Sequence, residues 1–142
     1  MNIGQIIEAA KFDEDDHHKG TRGWCGTFAI NLFKMFPGGT LVLVTYFEGD
    51  SNLMNDGTYR WCHCAVRYGD KYYDVLGETT AYDLIDNYVR KIDQGVVVEV
   101  GERAFWRSLR AVPGSYSVYC RRKWKQKLLR AIEHIYPTAL AA

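Results

Sequence analysis

Three side chains in this sequence have the types and the spacing for acyl-transfer chemistry: Cys25, His63 and Asp74. Cys25 stands in Gly23-Trp24-Cys25-Gly26, directly ahead of the run Thr27-Phe28-Ala29-Ile30-Asn31-Leu32-Phe33-Lys34-Met35-Phe36. Phe28, Leu32 and Phe36 recur at every fourth position, and Ala29 and Phe33 fill the adjacent row. That pattern predicts a helix with one wide buried face. A cysteine in its first turn meets unpaired N–H groups and the positive end of the helix dipole, which ease a thiol toward the nucleophilic thiolate.

His63 and Asp74 lie on the two arms of a predicted hairpin centred on Gly69-Asp70, a pair that suits a two-residue turn with Gly first. Side chains alternate along each strand, so His63 shares a face with Trp61, Ala65 and Arg67. With this turn Asp74 falls opposite Ala65, two places along on the histidine's own side. A carboxylate there is within reach of the imidazole. It would fix the ring tautomer and support the imidazolium formed when the thiol gives up its proton. A slip of one residue would undo the arrangement.

Each of these residues has a bland reading when taken alone. A buried cysteine usually serves as a small hydrophobe, and a histidine or aspartate in a hairpin is usually structural. The case rests on three roles in chain order, with the cysteine at a glycine-flanked helix start. Cys62 and Cys64 share the strand face opposite His63, so the three cannot readily gather on one metal, and both cysteines are read as core thiols. Cys120 is read as an inert thiol on the last helix.

The elements that must position these residues follow from pattern. Residues 2–11 read as a short helix and residues 13–20 as a polar loop leading to the cysteine. His17 and His18 beside four acids raise metal binding, but adjacent histidines in a loop rarely ligate one ion together, and no metal or other cofactor is expected. Pro37-Gly38-Gly39 ends the cysteine helix. Residues 40–47 read as a buried strand, 48–57 as a surface loop, 59–68 and 71–75 as the hairpin. Thr79 or Thr80 caps a helix to about residue 92, with Leu84, Ile85, Tyr88 and Val89 inward. A strand over 96–100, a short helix over 102–109 and a last helix over 116–136 complete the chain, the last with Trp124, Leu128, Ile132 and Ile135 on one stripe. The order argues an α+β fold in a single domain, residues 1–142, with the cysteine helix packed on a small antiparallel sheet between N-terminal helices and a C-terminal helix.

Composition agrees with an ordinary globular protein: 142 residues, 47% hydrophobic and 25% charged. No apolar run approaches the ~20 residues that span a bilayer, and the first twelve residues lack a basic start followed by an apolar stretch. A cytoplasmic protein with reduced thiols is the expectation. Net charge is +1 overall but uneven. Residues 1–100 hold 9 Lys/Arg against 15 Asp/Glu, and residues 101–142 hold 9 against 2, so an acidic body carries a basic end.

Gly23-Trp24-Cys25-Gly26 before a buried helix, His63 leading Cys64-Ala65-Val66-Arg67, and Tyr72-Tyr73-Asp74 before Gly77 together resemble the papain-like cysteine hydrolase superfamily. The likeness is to its minimal members in small bacterial and phage proteins, and it covers about residues 22–77. It implies Cys25 as nucleophile, His63 as general base and Asp74 as orienter. Papain-type enzymes place a glutamine six residues before the cysteine for the oxyanion hole; this chain has Lys19 there. The Cys25 N–H remains a donor, and His18 or Lys19 is a candidate for the second. Trp24 and Trp61 are candidate substrate-binding positions.

Such a triad cleaves peptide, isopeptide or other amide bonds through a thioester. The same parts serve transglutaminases, deamidases and amine acyltransferases. Water is the default acceptor, so a thiol hydrolase of a peptide or protein substrate is the expected function. A catalytically silent protein is the rival, binding nucleic acid or protein through Arg121-Arg122-Lys123-Trp124-Lys125-Gln126-Lys127 or through its aromatic surface. Trp124 is in phase with Leu128, which favours a solvated basic face over a nucleic-acid site.

Overall fold

A computed structural model describes residues 1–46, 58 and 60–137. Among these the chain is α+β, with six α-helices and a five-stranded antiparallel sheet. The helices are α1 (Ile3–Ala9), α2 (Glu14–Arg22), α3 (Cys25–Met35), α4 (Ala81–Tyr88), α5 (Glu102–Arg110) and α6 (Val118–Ile135). The strands are β1 (Thr40–Tyr46), β2 (His63–Tyr68), β3 (Lys71–Asp74), β4 (Gly77–Thr79) and β5 (Gly95–Val100), in spatial order β4-β3-β2-β1-β5.

The interior strand β1, between β2 and β5, is buried on both faces, as its unbroken Leu41-Val42-Leu43-Val44 run requires. Leu41 and Leu43 point into the larger core with Cys64, Val66, Phe28, Leu32, Phe105, Trp124 and Leu128. Val42 and Val44 point the other way, with Ala65, toward Leu84 and Val89 of the α4 side. α3 therefore lies on one face of the sheet and α4 on the other.

The β2–β3 register is Val66↔Tyr73, Arg67↔Tyr72 and Tyr68↔Lys71, the pairing that the Gly-first turn predicts. Gly69 takes φ +65°, the left-handed backbone such a turn needs at its first central residue.

Three expectations need correction, and one strand was not expected. Residues 13–20 are not a loop: α2 begins there, with Asp13 at its N-cap. The Asp13 carboxylate accepts from the Asp16 N–H at 2.8 Å and Asp16 returns the contact at 3.1 Å, a reciprocal capping box. Acids fill the first turn and Lys19 and Arg22 the last, each matching the dipole. The strand expected to begin at residue 59 begins at His63, the preceding Cys62 N–H bonding Val44 O at 2.7 Å. The helix expected to reach residue 92 ends at Tyr88, followed by a single 3₁₀ turn over Ile92–Gln94. Before it, β4 closes the edge of the sheet against β3. The loop expected over 48–57 lies outside the described residues.

Close packing of α5 on the start of α3 depends on a missing side chain. A Cβ on Gly26 would overlap the methyl carbons of Leu109. Gly26→Ala is expected to destabilise the fold by about 1–3 kcal/mol through this overpacking, read from urea unfolding.

Candidate active site

α2 runs into α3 through two residues. The N–H groups of Gly23 and Trp24 both bond Lys19 O, at 3.3 and 2.9 Å, which folds the chain back and sets Cys25 as the first residue of α3. Trp24 occupies the N-cap, and no side chain caps the helix. The N–H groups of Cys25, Gly26 and Thr27 thus have no hydrogen-bond partner among the described residues. Buried, unpaired donors at the positive end of a helix are what a developing oxyanion needs.

His63 opens β2, paired with Val44 on one side. On the other side the β2–β3 ladder has already stopped at Val66↔Tyr73. The end of β2 beside His63 is therefore uncovered by a strand. That gap explains how Cys25, arriving on the α3 face, meets side chains of both faces: it lies against Cys64 and against the His63 ring.

His63 Nε2 and Asp74 Oδ2 are 2.9 Å apart, in a fully buried pair. Asp74 Oδ1 accepts the Leu76 N–H at 2.9 Å, so both carboxylate oxygens are fixed. The other ring nitrogen, His63 Nδ1, is buried and completes no hydrogen bond, while the ring remains in electrostatic contact with the Cys25 sulfur. Tyr88 stacks flat on the imidazole, with centroids 3.6 Å apart and planes 7° from parallel.

These contacts set the charges. The Cys64 thiol beside Cys25, and then the His63 ring and its charge, outweigh burial and bring the Cys25 thiol down to about 5. Burial would lower His63, but Asp74 and Cys25 overcome it and raise the imidazole to about 9. Burial and the neighbouring Cys25 push the Cys64 thiol well up, so it stays protonated as a donor. The arrangement favours a thiolate–imidazolium pair at neutral pH.

The structure brings Cys25, His63 and Asp74 together. It does not bring the side chains of His18 and Lys19 to them. His18 is exposed on α2, and Lys19 pairs with Asp15 at 2.8 Å, its ammonium over the Trp24 ring. Lys19 acts on the cysteine turn through its carbonyl instead. The Trp24 indole donates to Gly114 O at 2.9 Å and the Trp61 indole to Ser108 O at 3.0 Å. Both tryptophans thus lash the site to α5 and the segment after it, with their N–H groups already used.

Tyr88 and Cys64 were not singled out for the site. Strand alternation does put Cys64 on the face of β2 opposite His63, the α3 face. Nothing in the spacing of α4 announces that Tyr88 covers the histidine. A surface depression of about 590 Å³ is lined by Thr21, Arg22, Leu76, Asn87 and Tyr88.

The acidic cluster at the start of α2 is a helix cap and not a set of free ligands. Asp13, Asp15 and Asp16 lie close together, but Asp15 is paired with Lys19 and Asp16 with Lys123 and Lys127. Comparison of the chain with protein-family models, with curated proteins and with solved structures yields no match.

Proposed function

We propose that this protein is a cysteine-dependent hydrolase that cleaves a peptide, isopeptide or other amide bond through a thioester, in the manner of the papain-like enzymes its motifs resemble. The observation that carries the reading is the Asp74–His63 pair at 2.9 Å set beside a thiol brought down to about 5 at an uncapped helix start. Cys25 attacks the carbonyl carbon, and the oxyanion takes the free N–H groups of the first turn. His63 gives its proton to the leaving amine as the carbon–nitrogen bond breaks. It then takes a proton from water, which attacks the thioester and releases the acid and the Cys25 thiolate. Asp74 holds the ring and supports its charge throughout. All four cysteines are free, as a reducing cytoplasm would keep them, and no helix of the described residues is long and apolar enough to cross a membrane.

The pH dependence follows from the two shifts. The raised His63 contributes its stabilisation fully below about 6.5 and loses it as pH rises through about 9. The lowered Cys25 contributes fully above the ordinary thiol value of 9.0 and loses it as pH falls through about 5. Both charges coexist only between these limits. Hydrolysis of fluorogenic peptide amides is expected to follow a bell with limbs near 5 and 9, absent in Cys25→Ala. A wild type that cleaves no amide, isopeptide or thioester, or a Cys25→Ala variant as active as wild type, refutes the assignment.

A further inference from the structure

We propose that the cleft between α5 and the start of α6 docks an acidic protein segment bearing an apolar side chain. The cleft holds about 370 Å³ and includes Trp106, Leu109, Arg110, Val112, Gly114 and Tyr116 in its lining. Its floor is aromatic, with Trp106 and Tyr116 packed edge to face at 5.1 Å. Its charged lining group is the Arg110 guanidinium, and Arg121 lies against the same two rings. Arg110 lies 5.7 Å from the Trp106 ring, and Arg121 lies 6.0 Å from Trp106 and 5.9 Å from Tyr116. Arg121 also donates to the Tyr116 hydroxyl at 2.7 Å, which fixes its plane.

No carboxylate of the described residues comes within 4.0 Å of either guanidinium. The segment from 101 to 142 carries two acids in all, and one of them, Glu102, is held by Lys34 at 2.8 Å. Stacked on rings and with no carboxylate paired to them, although Glu102 acts on Arg121 at longer range, the two arginines keep their outward donors for a carboxylate, the group whose geometry they match. The apolar part of the partner is called for by exposed hydrophobic surface. Val112 on the rim is 46% exposed, and Val118 and Tyr119, just beyond Tyr116, are 58% and 72% exposed.

Nucleic acid fits this surface less well. Binding of single strands uses aromatic faces as platforms for bases. Here the rings of Trp106 and Tyr116 are engaged with each other and overlaid by arginines.

The cleft backs onto the cysteine turn. Leu109 packs where Gly26 has no side chain, and Gly114 O receives the Trp24 indole. A docked segment would lie beside the candidate active site, but its binding does not depend on thiol chemistry.

The test is fluorescence anisotropy with the full chain carrying Cys25→Ala, so that no turnover intervenes. The probes are a labelled peptide of alternating glutamate and leucine, the same peptide with glutamine for glutamate, and a labelled oligouridylate. The glutamate peptide is expected to bind at least about tenfold more tightly than the glutamine peptide, and to lose at least about tenfold when Arg110→Glu is added. Arg110 is exposed, so that variant should keep the melting temperature of its parent, which checks folding. Equal binding of the two peptides, no loss in Arg110→Glu, or tighter binding of the oligouridylate would each overturn the proposal.

Discussion

His63→Ala is expected to lower kcat/KM for amide hydrolysis by about 10³-fold, within the range for loss of a general acid–base. Two losses combine. The thiolate loses its imidazolium partner, and the departing amine loses its proton donor. The first is partly offset, because Cys64 and the first-turn N–H groups still stabilise negative charge on Cys25. The second has no ready substitute, since the other titratable groups acting on Cys25, namely Cys62, Cys64 and Tyr88, are weak acids on which burial holds the proton. Asp74→Asn should cost less, about tenfold or somewhat more. An asparagine can orient a histidine in such a triad, but it has one accepting oxygen where Asp74 uses two, for His63 and for the Leu76 N–H. The comparison is made on an amide that wild type cleaves, with melting curves to show that each variant is folded. A His63→Ala variant within a factor of about three of wild type would remove the histidine from the mechanism.

Asp16→Ala is expected to lower the unfolding free energy by about 3–5 kcal/mol, the cost of removing one partner from a buried ionic cluster. Asp16 is fully buried. Its Oδ1 accepts the Trp124 indole N–H at 3.0 Å and faces the Lys123 ammonium at 2.9 Å. Its Oδ2 takes the Lys127 ammonium and the Asp13 N–H. Burial alone would raise the carboxyl, but Lys127, Lys123, Trp124 and the Asp13 amide hold it well below the usual carboxylate range. Alanine would leave a buried indole N–H and the lysines without their acceptor. It would also remove half of the capping box of α2, the helix whose Lys19 carbonyl sets the cysteine turn. Because the native pKa is depressed, the stabilisation is present above the unfolded aspartate value and is lost as pH falls through the native one. The gap between wild type and variant in urea unfolding should therefore be full at neutral pH and narrow in strong acid. Equal midpoints at neutral pH would show that the cluster contributes nothing to stability.

Much of this was legible in the sequence. The four-residue recurrence of Phe28, Leu32 and Phe36 marked the cysteine helix because its buried face is wide and uninterrupted. The Gly69-Asp70 turn carried the register, and the register brought Asp74 to the side of His63. The start of α2 was missed because Asp13, Asp15 and Asp16 look like a solvated loop; the cap geometry that makes them a helix start was there, as aspartates three residues apart. Asp16 could not be read as buried, because the lysines and the indole that neutralise it come from α6, more than a hundred residues away. Separations of 90 and 47 residues likewise hide the links from Trp24 and Trp61 to the α5–α6 segment. Tyr88 was seen as inward-facing, but what it covers depends on how α4 crosses the sheet, and periodicity does not specify that. The second oxyanion donor expected from His18 or Lys19 does not come from their side chains, because one is exposed and the other is held by Asp15; the proposed mechanism uses further N–H groups of the first turn beside that of Cys25.

The central claim is the thiolate–imidazolium pair, and the most direct measurement is the rate of iodoacetamide alkylation at each cysteine against pH, read by mass spectrometry. In wild type the Cys25 rate should rise through a step near pH 5, stay level toward neutral pH and change again near 9, following the two shifted groups. In His63→Ala the early step should move toward the ordinary thiol range, and Cys25 should lose most of its advantage over Cys120 below neutral pH. A Cys25 that reacts no faster than Cys120 under native conditions, with a single step near the ordinary thiol value in both proteins, would contradict the account.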